Sequence, residues 1–350
     1  MKKLAILFLA SMFVVAMYLP VSAADWNLYG SARVNTFWTD TSEELTGLDD
    51  SLLELDHDLQ GNARIGAMVS AGELGGRFEY GTAGTGGADE ANVRILYGTV
   101  NLGGGQLLVG KFYSPWSFAG LGVSTQVTTL GADDANMLHS VAYNGRNPML
   151  QYSMNNFKVA LVTPDEIVPG EIVLPRVEAY LDVPMGGMSA GIAGIYQAYD
   201  LDSATESGGG DTLNAYGLAA KFSFKQMDPL YFNLGGFYAV NPTNFSEYLL
   251  VNGLADTSNV DDVENTNVYG VTAVVGTSLG NGIGVQAGAG LTSADNDNWA
   301  EEDEAMVYYG QAMIPLGGGG KAFVVPEIGF VDLDDDGDVA YAGMKTQIDF

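Results

Sequence analysis

A chain of 350 residues with 43 acidic and 14 basic side chains carries a formal charge of −29. So acidic a surface repels phosphates and excludes nucleic acid as a partner, while suiting divalent cations. Cysteine is absent, so no disulfide supports the fold, and 47% hydrophobic residues with 18 Tyr and 15 Phe exclude a disordered acidic chain.

The first element is an export signal. Lys2 and Lys3 precede an apolar run from Leu4 to Leu19, then Pro20 and Val21-Ser22-Ala23-Ala24. A basic start, an apolar centre and a small-residue cleavage site predict a signal peptide over 1–24 and one mature domain over 25–350. The alternative, an uncleaved anchor, would need a longer run. No later stretch offers the ~18 uninterrupted apolar residues of a membrane-spanning helix.

From residue 25 onward, apolar and polar residues alternate with period two. In WNLYGSARVNTFW, Trp26, Leu28, Ala32, Val34 and Trp38 oppose Asn27, Ser31, Arg33 and Asn35. Leu59, Ala63, Ile65, Ala67 and Val69 then oppose Gln60, Asn62 and Arg64, and Leu74, Phe78 and Tyr80 oppose Arg77 and Glu79. Sixteen strands are predicted, at 25–38, 57–71, 73–83, 92–103, 105–112, 145–154, 156–164, 174–184, 187–200, 212–225, 229–240, 264–279, 282–294, 304–315, 320–332 and 338–350.

The connections sort by parity. Even-numbered strands are followed by tight turns such as AGELGG, NLGGGQ, Asn155-Asn156, PMGGM and LGNG. Odd-numbered strands are followed by longer, mostly acidic loops such as DTSEELTGLDD, DNDNWAEEDE and DLDDDGD. Short turns at one rim and long loops at the other are the pattern of a transmembrane antiparallel β-barrel, whose apolar face meets lipid and whose polar face lines water. A soluble β-sandwich would not sort its loops this way. Of the twelve bases beyond the signal, Arg33, Arg64, Arg77, Arg94, Lys111, Lys158, Arg176, Lys221 and Lys345 are assigned to the lumen, and Arg146, Lys225 and Lys321 to strand ends. None is left mid-strand toward lipid, where a base costs about 2–4 kcal/mol at the midplane.

With its cleavable signal, the start LYGSARV, the LLVGKFYSP step into a long third loop and the terminal strand AYAGMKTQIDF ending on Phe350, the chain resembles the general diffusion porins of Gram-negative outer membranes. The resemblance covers the whole mature chain, and the order of these motifs is more specific than any one of them. It implies a trimeric sixteen-stranded barrel whose third external loop, here 113–144, folds inward and narrows the channel. It places Asp133 and Asp134 on that loop, facing Arg33, Arg64, Arg77, Arg94 and Lys111 on the wall, and makes Phe350 the signal read by the barrel assembly machinery. The loop holds few acids and lacks the Pro-Glu-Phe-Gly-Gly tip of enteric members, which leaves its tip unassigned. The homotrimer implied by the resemblance would pack through outward residues such as Ala32, Val34, Ala63, Ile65 and Ala67, which equally suit lipid.

Catalytic chemistry finds no support. His139 and Ser140 are adjacent, so in a strand they point to opposite faces, and His57 sits among acids at a loop end. Asp332-x-Asp334-x-Asp336-Gly337 matches the opening of a calcium loop, but Gly343 stands where a bidentate glutamate is needed. A solvated acidic loop is the default reading there, with a weak calcium site as the alternative. No cofactor is required, although the acidic external loops could hold Ca2+ or Mg2+ bridging to lipopolysaccharide. The expected function is passive diffusion of ions and small hydrophilic solutes through a water-filled channel of mild cation preference. Two alternatives stay open: a substrate-specific channel for a sugar or anion, and a plugged structural or adhesive barrel.

Overall fold

In the computed structural model, the described residues are 24–48, 50–82, 91–121, 140–164, 171–200, 212–227, 229–245, 249–253, 255 and 264–350. The expected signal peptide apart from Ala24, the loop aspartates Asp133 and Asp134, and His139 lie outside them. Among the described residues no helix is long and apolar enough to cross a membrane, which says nothing of strands.

Sixteen strands run antiparallel in chain order. They are β1 (Asp25–Thr41), β2 (Leu52–Leu59, continuing as Arg64–Ala71), β3 (Leu74–Thr82), β4 (Ala91–Asn101), β5 (Gln106–Tyr113), β6 (Arg146–Met154), β7 (Phe157–Val162) and β8 (Glu171–Ile172, continuing as Arg176–Met185). The second half comprises β9 (Met188–Asp200), β10 (Thr212–Met227), β11 (Leu230–Val240), β12 (Asn267–Ser278), β13 (Gly284–Asp295), β14 (Asp303–Gly317), β15 (Ala322–Asp332) and β16 (Asp338–Asp349). Each strand pairs with the next, and β16 returns to β1 in a register running from Ser31↔Asp349 to Thr41↔Val339. The sheet is therefore closed and has no free edge to satisfy. Every predicted strand has its counterpart at nearly the same position.

The break inside β2 is informative. Val34 pairs with Leu59 and Ser31 with Arg64, so β1 advances three residues while β2 advances five. Two extra residues preserve the period of two, and Arg64 remains on the inner face with Ser31. An insertion of one would have turned Arg64 toward lipid.

The tight turns use backbone geometry that their residues tolerate. Gly72 and Gly186 have φ of 64° and 69°, and Asn155 has φ of 51°. This left-handed region suits glycine and, among residues with a Cβ, asparagine. All three follow even-numbered strands.

Outside, the wall is apolar and open to its surroundings: Leu28, Leu218 and Ile328 are 75%, 62% and 66% exposed. Near the long-loop rim, outward aromatics face one another across strand pairs, as Tyr196↔Tyr216, Tyr238↔Tyr269 and Tyr308↔Phe330. Toward the other rim, Phe224↔Phe232 and the exposed Trp26 and Phe350 form a second group. Two aromatic girdles around an apolar band mark the two interfaces of a bilayer.

Inside, large rings lie flat because glycine gives them room. Tyr29, Tyr231, Phe237, Tyr309 and Tyr341 pair directly with Gly66, Gly276, Gly270, Gly288 and Gly329 on the neighbouring strand. A Cβ on any of these glycines would overlap the ring it faces. Each pair keeps an aromatic side chain along the wall and out of the lumen. The same device closes the seam on the outer face, where a Cβ on Gly30 would overlap the ring of Phe350. Gly30 and Phe350 also exchange both backbone hydrogen bonds, at 2.9 and 3.0 Å.

Candidate functional site

The inner faces of β1 to β4 carry a dense set of guanidinium groups. Arg64 and Arg77 follow from plain alternation, but Arg94 depends on a bulge. Glu79 pairs with Ile95 and Tyr80 with Val93, so Arg94 is an extra residue on β4. Unbulged alternation from the inward Tyr97 would have sent it outward; the bulge turns it into the lumen beside Ile95.

Glu79 is the hub of the cluster. Its fully buried carboxylate lies 2.8 Å from Arg77 Nη2, 2.9 Å from Arg94 Nε and 3.9 Å from Arg64 Nη1. Tyr29 donates its hydroxyl proton to Glu79 Oε2 at 2.8 Å and accepts from Arg77 Nε at 2.8 Å, with the Arg77 guanidinium 5.2 Å from its ring centre. Arg94 Nη1 donates to the Gly61 carbonyl at 3.1 Å. Arg33 stands beside this group, its Nε donating to Ser31 Oγ at 2.9 Å and its Nη1 to Gln60 Oε1 at 3.4 Å. Three guanidiniums, those of Arg64, Arg77 and Arg94, therefore share one carboxylate. Arg64 and Arg77 remain open to water, with side chains 26% and 21% exposed, so the excess positive charge is presented to the lumen.

The structure brings together Arg33, Arg64, Arg77 and Arg94, as expected, and sets Lys111 apart. Lys111 pairs with Leu96 and Pro148, both exposed on the outer wall. That register corrects its assignment to the lumen. In QLLVGKFY both alternating sets are largely apolar, so the pattern alone does not choose a face. Arg146, expected only at a strand end, joins the cluster instead. Its guanidinium lies 5.3 Å from the Tyr113 ring centre, and its charge repels that of Arg94.

The third long connection leaves β5 at residue 114 and re-enters at β6. Its described flanks lie against the inner wall. The short helix α1 (Ser117–Gly120) packs against β9, β10 and β11. Trp116 sits edge-on to Phe237 and Phe245, and Lys221 on β10 donates to the Phe118 carbonyl at 2.7 Å. On the returning side, the Ser140 carbonyl accepts from Thr272 of β12 at 2.7 Å, and Thr292 of β13 lies 3.2 Å from its hydroxyl. Both threonines occupy lumen-facing positions. The course between these flanks, including Asp133 and Asp134, is outside the described residues.

At the loop after β15, the Leu333 amide donates to the Gly337 carbonyl at 2.9 Å, which folds Asp334–Asp336 into a single turn. Among the described residues no three His, Cys, Asp or Glu side chains converge as a metal-holding group. His57 lies exposed on the outside, 2.8 Å from Thr36 Oγ1.

No protein-family model and no curated protein matches the chain. Solved structures do. The outer membrane channel DcaP of Acinetobacter baumannii superposes with a TM-score of 0.71 at 17% identity, covering 95% of this chain and 99% of its own. An anion-selective porin from Comamonas acidovorans gives 0.65 at 14% identity, over 93% and 100% of the two chains. The trimer form of OmpT, an outer membrane protein of Vibrio cholerae, gives 0.60 at 12% identity, over 94% and 100%. At such identities the likeness is one of fold: a sixteen-stranded porin barrel, matched over nearly its full length.

Proposed function

We propose that this chain forms a passive, water-filled channel in the outer membrane of a Gram-negative cell, through which ions and small hydrophilic solutes diffuse. The observation that carries the reading is a charge-bearing inner wall enclosed by an apolar outer wall with two aromatic girdles. That inversion is stable only where lipid lies outside and water inside. Conduction needs no covalent chemistry, and the proposal includes none.

The segment 113–144 serves as the constriction loop, bringing Asp133 and Asp134 into the lumen opposite the guanidinium cluster. Opposed charges across a narrow aqueous gap produce a transverse field that orients dipolar solutes and penalises apolar ones. Acidic external loops raise the local cation concentration and hold Ca2+ or Mg2+ loosely as counter-ions. The guanidinium wall acts against them, so the net cation preference is mild. Three copies associate through the outer wall around Ala32, Val34 and Ile65; the trimer form of the Vibrio OmpT barrel supports this stoichiometry. Phe350, set at the seam, marks the chain for barrel assembly.

Reversal potentials of the purified protein in a planar bilayer under a salt gradient test the sign. A mild cation preference is expected, and clear anion selectivity would overturn that part of the reading. Current block by micromolar sugar would favour a substrate-specific channel instead.

A further inference from the structure

Both feet of the third long connection are tied to one carboxylate. Glu178 projects inward from β8 and is fully buried. Its Oε2 accepts from the Trp116 backbone amide at 2.8 Å, on the segment leaving β5. Its Oε1 accepts from Asn144 Nδ2 at 2.9 Å, on the segment returning to β6. Arg176, two residues away on the same face of β8 and also fully buried, donates its Nε to Oε1 at 3.0 Å and supplies the counter-charge.

The two feet are joined to each other as well. Asn144 Oδ1 accepts from Ser114 Oγ at 2.8 Å and from Ser117 Oγ at 2.6 Å, and the Asn144 amide donates back to Ser117 Oγ at 3.2 Å. Remove Glu178 and this pair of feet keeps its internal bonds but loses its tie to β8. Bonds to an ionised acceptor are the stronger kind, particularly away from water.

We infer that Glu178 is a positioning residue of the channel, a latch that fixes the two described feet, at Trp116 and Asn144, to the barrel wall and thereby sets how far they stand into the lumen. The inference rests on the proposed channel function. The carboxylate touches no passing solute; it acts through Trp116 and Asn144. Glutamine at 178 would keep the volume, but its one carbonyl can serve only one of the two feet while its amide opposes another donor. One foot then loses its tie to β8 while the ring contacts of Trp116 and the Lys221 bond to the Phe118 carbonyl remain, so the feet shift against the wall and the lumen beside them varies in width.

Single-channel recording of the full chain, as wild type, Glu178→Gln and Asn144→Ala, tests the latch. Unit conductance is a property of each inserted channel, so a loss of folded protein alone leaves it unchanged. Glu178→Gln is expected to raise unit conductance by about half or more, with added open-channel noise and a larger size limit for neutral polymers. Asn144→Ala frees one foot without altering a strand and is expected to do the same more weakly. If wild type conducts and both variants match it in conductance, noise and polymer limit, the latch is wrong and the channel stands. If Glu178→Gln yields no folded barrel, Asn144→Ala alone decides, with wild-type behaviour overturning the inference. A folded wild type that conducts nothing overturns the channel reading itself.

Discussion

Replacing Glu79 with glutamine removes the carboxylate that three guanidiniums share. The local excess of charge rises from two to three, counted over Arg64, Arg77 and Arg94. At ~6 Å in water, one unit charge acts on a passing monovalent ion with ~0.7 kcal/mol. Cations and anions feel it with opposite sign, so their permeability ratio responds to about 1.4 kcal/mol, a factor of roughly ten. With a Debye length of about 8 Å at physiological ionic strength, screening reduces the factor to about three. Glu79→Gln is therefore expected to shift the ratio about threefold toward anions in a reversal-potential measurement, and more at low salt. The barrel should also lose its heat resistance at a lower temperature. Removing one partner of a buried ion pair costs about 3–5 kcal/mol, and the lower end applies because water reaches Arg64 and Arg77. A variant that conducts with an unchanged ratio at low salt would show that the cluster does not border the permeation path.

Three further outcomes follow from register and packing. Gly288→Val denies Tyr309 its place against the wall and pushes the ring into the lumen; unit conductance falls while ion preference holds, and an unchanged conductance would contradict the packing. Arg94→Ala shifts selectivity toward cations whereas Lys111→Ala leaves it alone, because Lys111 pairs with outward residues; equal shifts would place Lys111 in the lumen after all. Gly30→Val collides with Phe350 at the β1–β16 seam, so the heat-modifiable, folded fraction on a gel drops, and a wild-type yield would show that the seam tolerates the overlap.

Much of the barrel was legible because its rules are local. Alternation over six to twelve residues gave each strand its faces, and loop length gave each connection its rim. Arg64 and Arg77 could be placed from their own strands. Features that depend on the neighbouring strand were not legible. The bulge opposite Glu79 that turns Arg94 inward is a mismatch between β3 and β4, visible in neither sequence alone. Glu79 was read as an inward residue, but its place as hub depends on Tyr29, Arg64 and Arg94, far off in the chain. The aromatic rows and the ring-over-glycine pairs are likewise products of register. Lys111 was misassigned because the two faces of its strand are almost equally apolar, which left its charge to decide. Arg146 joins the cluster only because β6 lies beside β5.

The central claim is that this barrel encloses an open aqueous path. Single-channel conductance of the purified, folded protein in a planar lipid bilayer tests it most directly. Discrete, ohmic steps that scale with salt concentration are the predicted result. A protein that inserts and shows the heat-modifiable mobility of a folded barrel, yet conducts nothing, would contradict it and leave a plugged barrel in its place.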